Sequence, residues 1–383
     1  LRILVNPNSV FIIIWVSLVA LFSLGVLKIN VPYSWGALFV VSVNVILALA
    51  LFLITLIKRN VFDQAALRVF LGARRAVVDK YVRLLFFVYV LISVLDVIYS
   101  GGIPFIWKMV GDTKQYVDFG IPTLHGIANS IIYFLSALCV ILYCLKVGSH
   151  RVILLTIFVW QFLIFSRGTI MVMIVQMVGV YMFLAPSSIK RTFFVCLLAL
   201  AVILFFGVTG DLRQGENPYY GLLVPEWESF FSIVPSGFLW VYVYLVSGFN
   251  NLLFNASLIE PTYLPVYTFA KMVPSVVYNL LGIEKAVDSF EFVNAGLNVS
   301  TIYSGFYSDF GLFAFVPVFI IQLMATVTYM RALGGSVYDL LAFSVCYQAI
   351  VFSPFIDTFF YLPFIAQFLI VLHFKKVIEH ERT

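Results

Sequence analysis

The chain has 383 residues, of which 63% are hydrophobic and 11% charged, with a mean hydropathy of +1.06. A water-soluble domain carries about a quarter of its residues charged, so a soluble enzyme, a nucleic-acid binder and a disordered chain are excluded. The net charge of +5 says little as a total; its placement along the chain carries the information.

Crossing the hydrocarbon takes about 20 apolar residues in a helix. On that rule the sequence predicts spans near 10–27, 36–57, 84–100, 127–146, 152–166, 168–185 and 193–209, and then near 311–330, 337–355 and 361–374. The expected fold class is all-α: a polytopic integral membrane protein of about ten transmembrane helices, because unpaired backbone groups in lipid leave only the helix open to such runs. The spans at 152–166 and 361–374 are short enough to be tilted or partly re-entrant. Cys139, Cys144, Cys196 and Cys346 all fall in apolar runs and read as packing residues, with no metal spacing among them. The first apolar run leads on to a second without a cleavage pattern, so no signal peptide is expected.

Lys and Arg set the expected orientation. The stretch from Lys58 to Arg83 carries Lys58, Arg59, Arg68, Arg74, Arg75, Lys80 and Arg83 against Asp63 and Asp79, which makes it cytoplasmic. Alternating from there, both termini are cytoplasmic, and Arg2, Lys146, Arg151, Lys190, Arg191, Arg331, Lys375, Lys376 and Arg382 fall on the same side. Lys28, Lys108, Lys114, Arg167, Arg213, Lys271 and Lys285 fall outside. Two outer segments stand out: Ser100 to Gly126, and a loop of about a hundred residues at 210–310 between the seventh and eighth spans, far longer than an ordinary connection. The apolar run at Gly237–Leu245 in that loop is expected to form interfacial or re-entrant helices against the outer leaflet, since one more span would invert the charge pattern after Arg331.

No phosphate-binding loop, HExxH or GxSxG is present. The first outer loop has no acid, and Glu226 and Glu228 read as a solvated loop face, so neither a catalytic divalent metal nor a cofactor is expected. Arg167, in Ser166–Arg167–Gly168, is held by a tight hairpin at the outer face, where snorkelling to headgroups competes with bidentate phosphate binding. Arg213, just past the seventh span, has local pairing with Asp211 or Glu216 as its alternative. His125 closes the run Asp118–Phe119–Gly120–Ile121–Pro122–Thr123–Leu124–His125–Gly126, where an imidazole can take a proton from a sugar hydroxyl or cap a span. The run Asn298 to Gly311 gathers amide, hydroxyl, aromatic and carboxylate groups suited to a sugar-binding surface.

With Gly101–Gly102–Ile103–Pro104, Tyr116 through Gly126, Ser166–Arg167–Gly168 and Asn298 through Gly311, the chain resembles the bacterial oligosaccharide repeat-unit polymerases, the Wzy-type O-antigen polymerases. That resemblance implies a metal-independent, GT-C-like glycosyltransferase in the bacterial inner membrane, with a large, partly helical periplasmic loop. Its reaction moves the growing glycan from undecaprenyl diphosphate onto a new lipid-linked repeat unit. Arg167 and Arg213 would bind diphosphate. His125 and Asp309 would be the catalytic candidates, and Asp118, Asn298, Thr301 and Tyr307 the sugar-binding ones. The implied partners are undecaprenyl-diphosphate-linked oligosaccharides, membrane lipid and, where coupled, a chain-length regulator. A flippase for the same lipid-linked oligosaccharide and an O-antigen ligase are the alternatives.

Overall fold

The computed structural model describes residues 2–57, 62–184, 188–214, 217–286 and 290–380, without the side chains of 2, 189–192 and 212–214. Helix follows helix: α1 (Arg2–Val5), α2 (Pro7–Ser23), α3 (Trp35–Ile57), α4 (Gln64–Ala73), α5 (Arg75–Ser100) and α6 (Pro104–Val110) come first. Then come α7 (Leu124–Cys144), α8 (Arg151–Leu163), α9 (Arg167–Leu184) and α10 (Ile189–Gln214). The long segment after α10 holds α11 (Pro225–Ile233), α12 (Ser236–Asn255), α13 (Val266–Met272), α14 (Ser275–Leu281) and α15 (Ser304–Phe310). The chain closes with α16 (Phe315–Leu333), α17 (Val337–Val351) and α18 (Leu362–His380). Among the described residues there is no strand, only an isolated bridge between Leu27 and Leu223.

Every predicted span falls on a helix. Among the described residues seven helical stretches are long and apolar enough to cross a membrane: Trp35–Ile57, Arg75–Val110, Leu124–Cys144, Arg167–Leu184, Phe193–Asp211, Ser236–Asn255 and Ser304–Leu333. Pro7–Ser23, Arg151–Leu163 and Val337–Val351 are shorter apolar helices. This suits a polytopic membrane protein. The last predicted span proves longer than expected, running on through Lys375 and Lys376 to His380. Of the charges used for orientation, Lys58, Arg59 and Arg382, and the side chains of Arg2, Lys190, Arg191 and Arg213, lie outside the described residues, as does Glu216.

Local chemistry sets the helix ends. Asn6 accepts the N–H groups of Asn8 and Ser9 ahead of Pro7 at the first helical position of α2. Gly101, at φ 72°, closes α5 in the left-handed conformation. The bundle is then tied by buried polar pairs: Asn6 to Thr55 at 2.7 Å, Asn8 to Thr326 at 2.8 Å, and Gln176 to Gln367 at 3.0 Å. Each such pair adds on the order of 1 kcal/mol between helices that gain little from apolar contact in lipid.

We call the end of the bundle where α2 finishes and α3 begins the distal end. There α12 departs from expectation. It does not lie on the surface against lipid: Leu239, Trp240, Val243, Val246, Phe249 and Leu252 are all buried. Nor do its contacts carry it through to the other end. Trp240 Nε1 donates to Asp211 near the end of α10 at 2.7 Å, and Tyr242 to the Leu21 carbonyl at 3.0 Å. Asn250 pairs with Ile29 and Val31 between α2 and α3, and the Ala256 carbonyl accepts from Tyr307, whose hydroxyl lies against Gly36. All of these partners are distal, so α12 lies across that end, dipping to Trp15, 6.4 Å from the Phe249 ring.

Candidate functional site

At the top of α7, the His125 Nδ1 stands 2.8 Å from Asp96 Oδ2. Asp96 comes from the last turns of α5 and is 2% exposed, while the imidazole is 26% exposed. The second oxygen, Oδ1, accepts the Ile121 N–H at 2.8 Å. A carboxylate so placed only accepts, so Nδ1 carries the proton and Nε2 is left as the acceptor. The local sequence makes this possible. Gly120 has φ 98°, and a Cβ there would stand 2.8 Å from the His125 ring atoms, so only glycine lets the chain fold over the imidazole. Phe119 closes one side, edge-on to the ring at 5.8 Å.

Phe119 also links this pair to the hairpin between α8 and α9. With Trp107 and Ile164 it forms a small apolar cluster, against which Val97, Ile103 and Trp160 pack. Past Ile164 the chain turns through Phe165 at φ 54° and enters α9 at Arg167. The tight hairpin expected from sequence is present. The Arg167 guanidinium rests over the Phe206 ring of α10, 5.3 Å from its centroid. Its Nη1 is buried and has no hydrogen-bond partner. The Arg213 side chain lies outside the described residues; its backbone is seven residues beyond Phe206, two turns on along the same face of α10. Asp211, the local partner considered for Arg213, takes the Trp240 N–H and the Ser236 hydroxyl.

Between α17 and α18 a non-helical stretch brings Asp357 into the interior, 3% exposed, with Oδ1 accepting from Phe359 at 3.0 Å and Phe360 at 3.4 Å. Burial pushes its carboxyl up from 3.8 to about 6, against the opposing pull of Lys271 on α13. Farther along, Pro363 lies against Gly126, next to His125. The distal end thus gathers a carboxylate-held imidazole, a guanidinium and a buried carboxylate beside a lysine.

The other sequence candidates are spread between the interior and the surface. Asp309 is fully buried and accepts the N–H groups of Tyr267 and Thr268 and the Thr268 hydroxyl, at 2.9, 2.8 and 2.6 Å. It caps α13, and both of its oxygens are occupied by that cap. Thr301 and Tyr307 are buried too. Thr301 accepts from the Tyr303 N–H, and Tyr307 donates to Ala256. From Thr301 to Asp309 the run expected to bind sugar is buried, while Glu291, Phe292, Ala295 and Gly296 ahead of it are exposed, and polar side chains satisfy part of its backbone. Asn298 is exposed, as is Asp118, which accepts the Gln115 N–H at 2.8 Å in a local capping box. Neither is brought to the His125 pair by any of these contacts.

No protein-family model, curated protein or solved structure matches this chain. What it does rests on its own residues. Among the described residues no group of three or more His, Cys, Asp or Glu side chains could hold a metal ion. Sequence reasoning passed over Asp96 and Asp357. Asp96 had a signal: it is a lone carboxylate within the predicted span 84–100, a costly placement that usually marks function. Asp357 had a weaker one, a single acid between the last two spans.

Proposed function

We propose that this chain is a GT-C-like, repeat-unit-polymerising glycosyltransferase of the bacterial inner membrane, working at the distal end, which is the periplasmic face. The observation that carries the reading is the Asp96–His125 pair, a base held in one tautomer by a buried carboxylate and open at Nε2. Nε2 takes the proton from an acceptor sugar hydroxyl. The hydroxyl oxygen attacks the anomeric carbon of the growing glycan, and the bond from that carbon to the diphosphate oxygen breaks. Undecaprenyl diphosphate leaves with the bonding pair.

Arg167 supports the leaving group, its unpartnered Nη1 receiving charge that grows on phosphate oxygens as the bond breaks. Arg213, two turns above Phe206, is the second candidate for that charge. In proteoliposomes supplied with a lipid-linked repeat unit the protein extends the glycan into a ladder. Arg167→Lys keeps the charge but loses the planar fork, and extension falls about a hundredfold at matched protein level. His125→Ala abolishes the ladder. Normal ladders from both variants would refute the reading, and transbilayer scrambling without extension would replace it with a flippase.

A further inference from the structure

Below Arg167 the bundle opens sideways. Phe158, Val159 and Phe162 of α8, Ile170 and Ile174 of α9, and Ala201, Val202 and Phe205 of α10 line an apolar groove of about 430 Å³. It lies along the turns of α9 that follow Arg167. Ile170 and Ile174 lie three and seven residues past Arg167, about 5 and 10 Å down α9. Phe205 adjoins Phe206, on whose ring the guanidinium rests. The groove exists because α10 stands off from its neighbours. Gly207, Gly210 and Gly237 bring its distal turns against α12, yet only 11% of Phe193–Asp211 is buried, the least of the candidate spans.

Two mismatches meet there. A shallow, open apolar groove on this flank offers hydrocarbon a seat against three helices. At its distal end a buried guanidinium nitrogen lacks an acceptor, which is costly and which an anionic oxygen would relieve. One molecule answers both: an amphiphile with a phosphate head and a long chain. We infer that a polyprenyl phosphate or diphosphate enters from the side, between α9 and α10, with its chain in this groove and its phosphate on Arg167. The prenyl identity of the chain rests on the function proposed above; the groove and the guanidinium do not.

The test is photolabelling in nanodiscs of neutral lipid with a polyprenyl phosphate that carries a diazirine along its chain. The expected label falls on residues 158–162, 170–174 and 201–205. Arg167→Gln lowers it at least tenfold, the loss of one charge-assisted contact. Ala201→Trp, on the exposed side of α10, fills the groove and lowers it as much, with the thermal unfolding midpoint unchanged. Label spread over the whole lipid-facing surface would overturn the inference. So would equal labelling by a polyprenol lacking phosphate, or complete displacement by an equal mole fraction of phosphatidylglycerol, which would make the groove a seat for ordinary lipid. Chain extension without groove labelling refutes the groove and leaves the polymerase; groove labelling without extension does the reverse.

Discussion

A carboxylate is defined by how its two oxygens are spent. Asp96 gives one to a backbone N–H and one to an imidazole, so its charge is directed at a titratable ring. Asp309 gives both to the start of α13. Asp309→Asn therefore turns one acceptor into a donor facing N–H groups and costs about 1–3 kcal/mol. The expected result is a lower unfolding midpoint with activity per folded molecule unchanged; an intact midpoint with lost activity would return Asp309 to the reaction. Asp357 behaves differently, because it is raised to about 6 by burial. The folded chain then holds its proton more tightly than the unfolded chain, so this group's contribution to stability falls as pH rises from 3.8 through about 6. A rise of that size is worth about 3 kcal/mol. The wild-type unfolding midpoint should drop between pH 5 and pH 7.5 by an amount that Asp357→Asn removes, read by thermal melts of both proteins in one detergent.

At the scale of elements, α12 is the piece that organises the distal end, and it does so through amides. Asn251 donates to the carbonyls of Leu297 and Val299 and accepts from Val293, at 3.1, 2.8 and 2.9 Å. Asn255, one turn on, accepts from the N–H of Glu291 and donates to its carbonyl. These side chains do for residues 291–299 what a neighbouring strand would do in a sheet. Asn251→Ala strands one buried backbone group, at roughly 1–3 kcal/mol, and leaves two part-buried ones to water. We expect faster amide exchange across 291–299 and a lower unfolding midpoint, measured by hydrogen exchange in detergent; unchanged exchange would show that the segment holds itself. The sequence carried a trace of this, since Asn251 and Asn255 share a helical face in an otherwise apolar run. Their partners, some 40 residues away, were not readable.

For the whole molecule the decisive question is which side each end of α12 occupies. Both of its ends contact the distal ends of other helices, which predicts that the chain before and after it stays on one side. Reporters fused after Asn217 and after Asn298 should give the same compartment, opposite to one after Arg75. A split between the first two would make α12 a true span and divide the segment at 291–310 from the His125 pair.

The sequence by itself determined the helical class, the positions of the apolar helices and the hairpin that holds Arg167. Each depends on local quantities: run length, hydropathy and turn residues within a few positions. Tertiary structure alone decided which partner each polar group finds. His125 and Asp309 look alike in sequence, each a titratable residue near a glycine at the start of an apolar run. What separates them is a partner 29 residues away for the first and two amides 41 and 42 away for the second. In a bundle set in lipid, every buried polar group must find such a partner, and the partner is set by how helices pack, which no local pattern encodes.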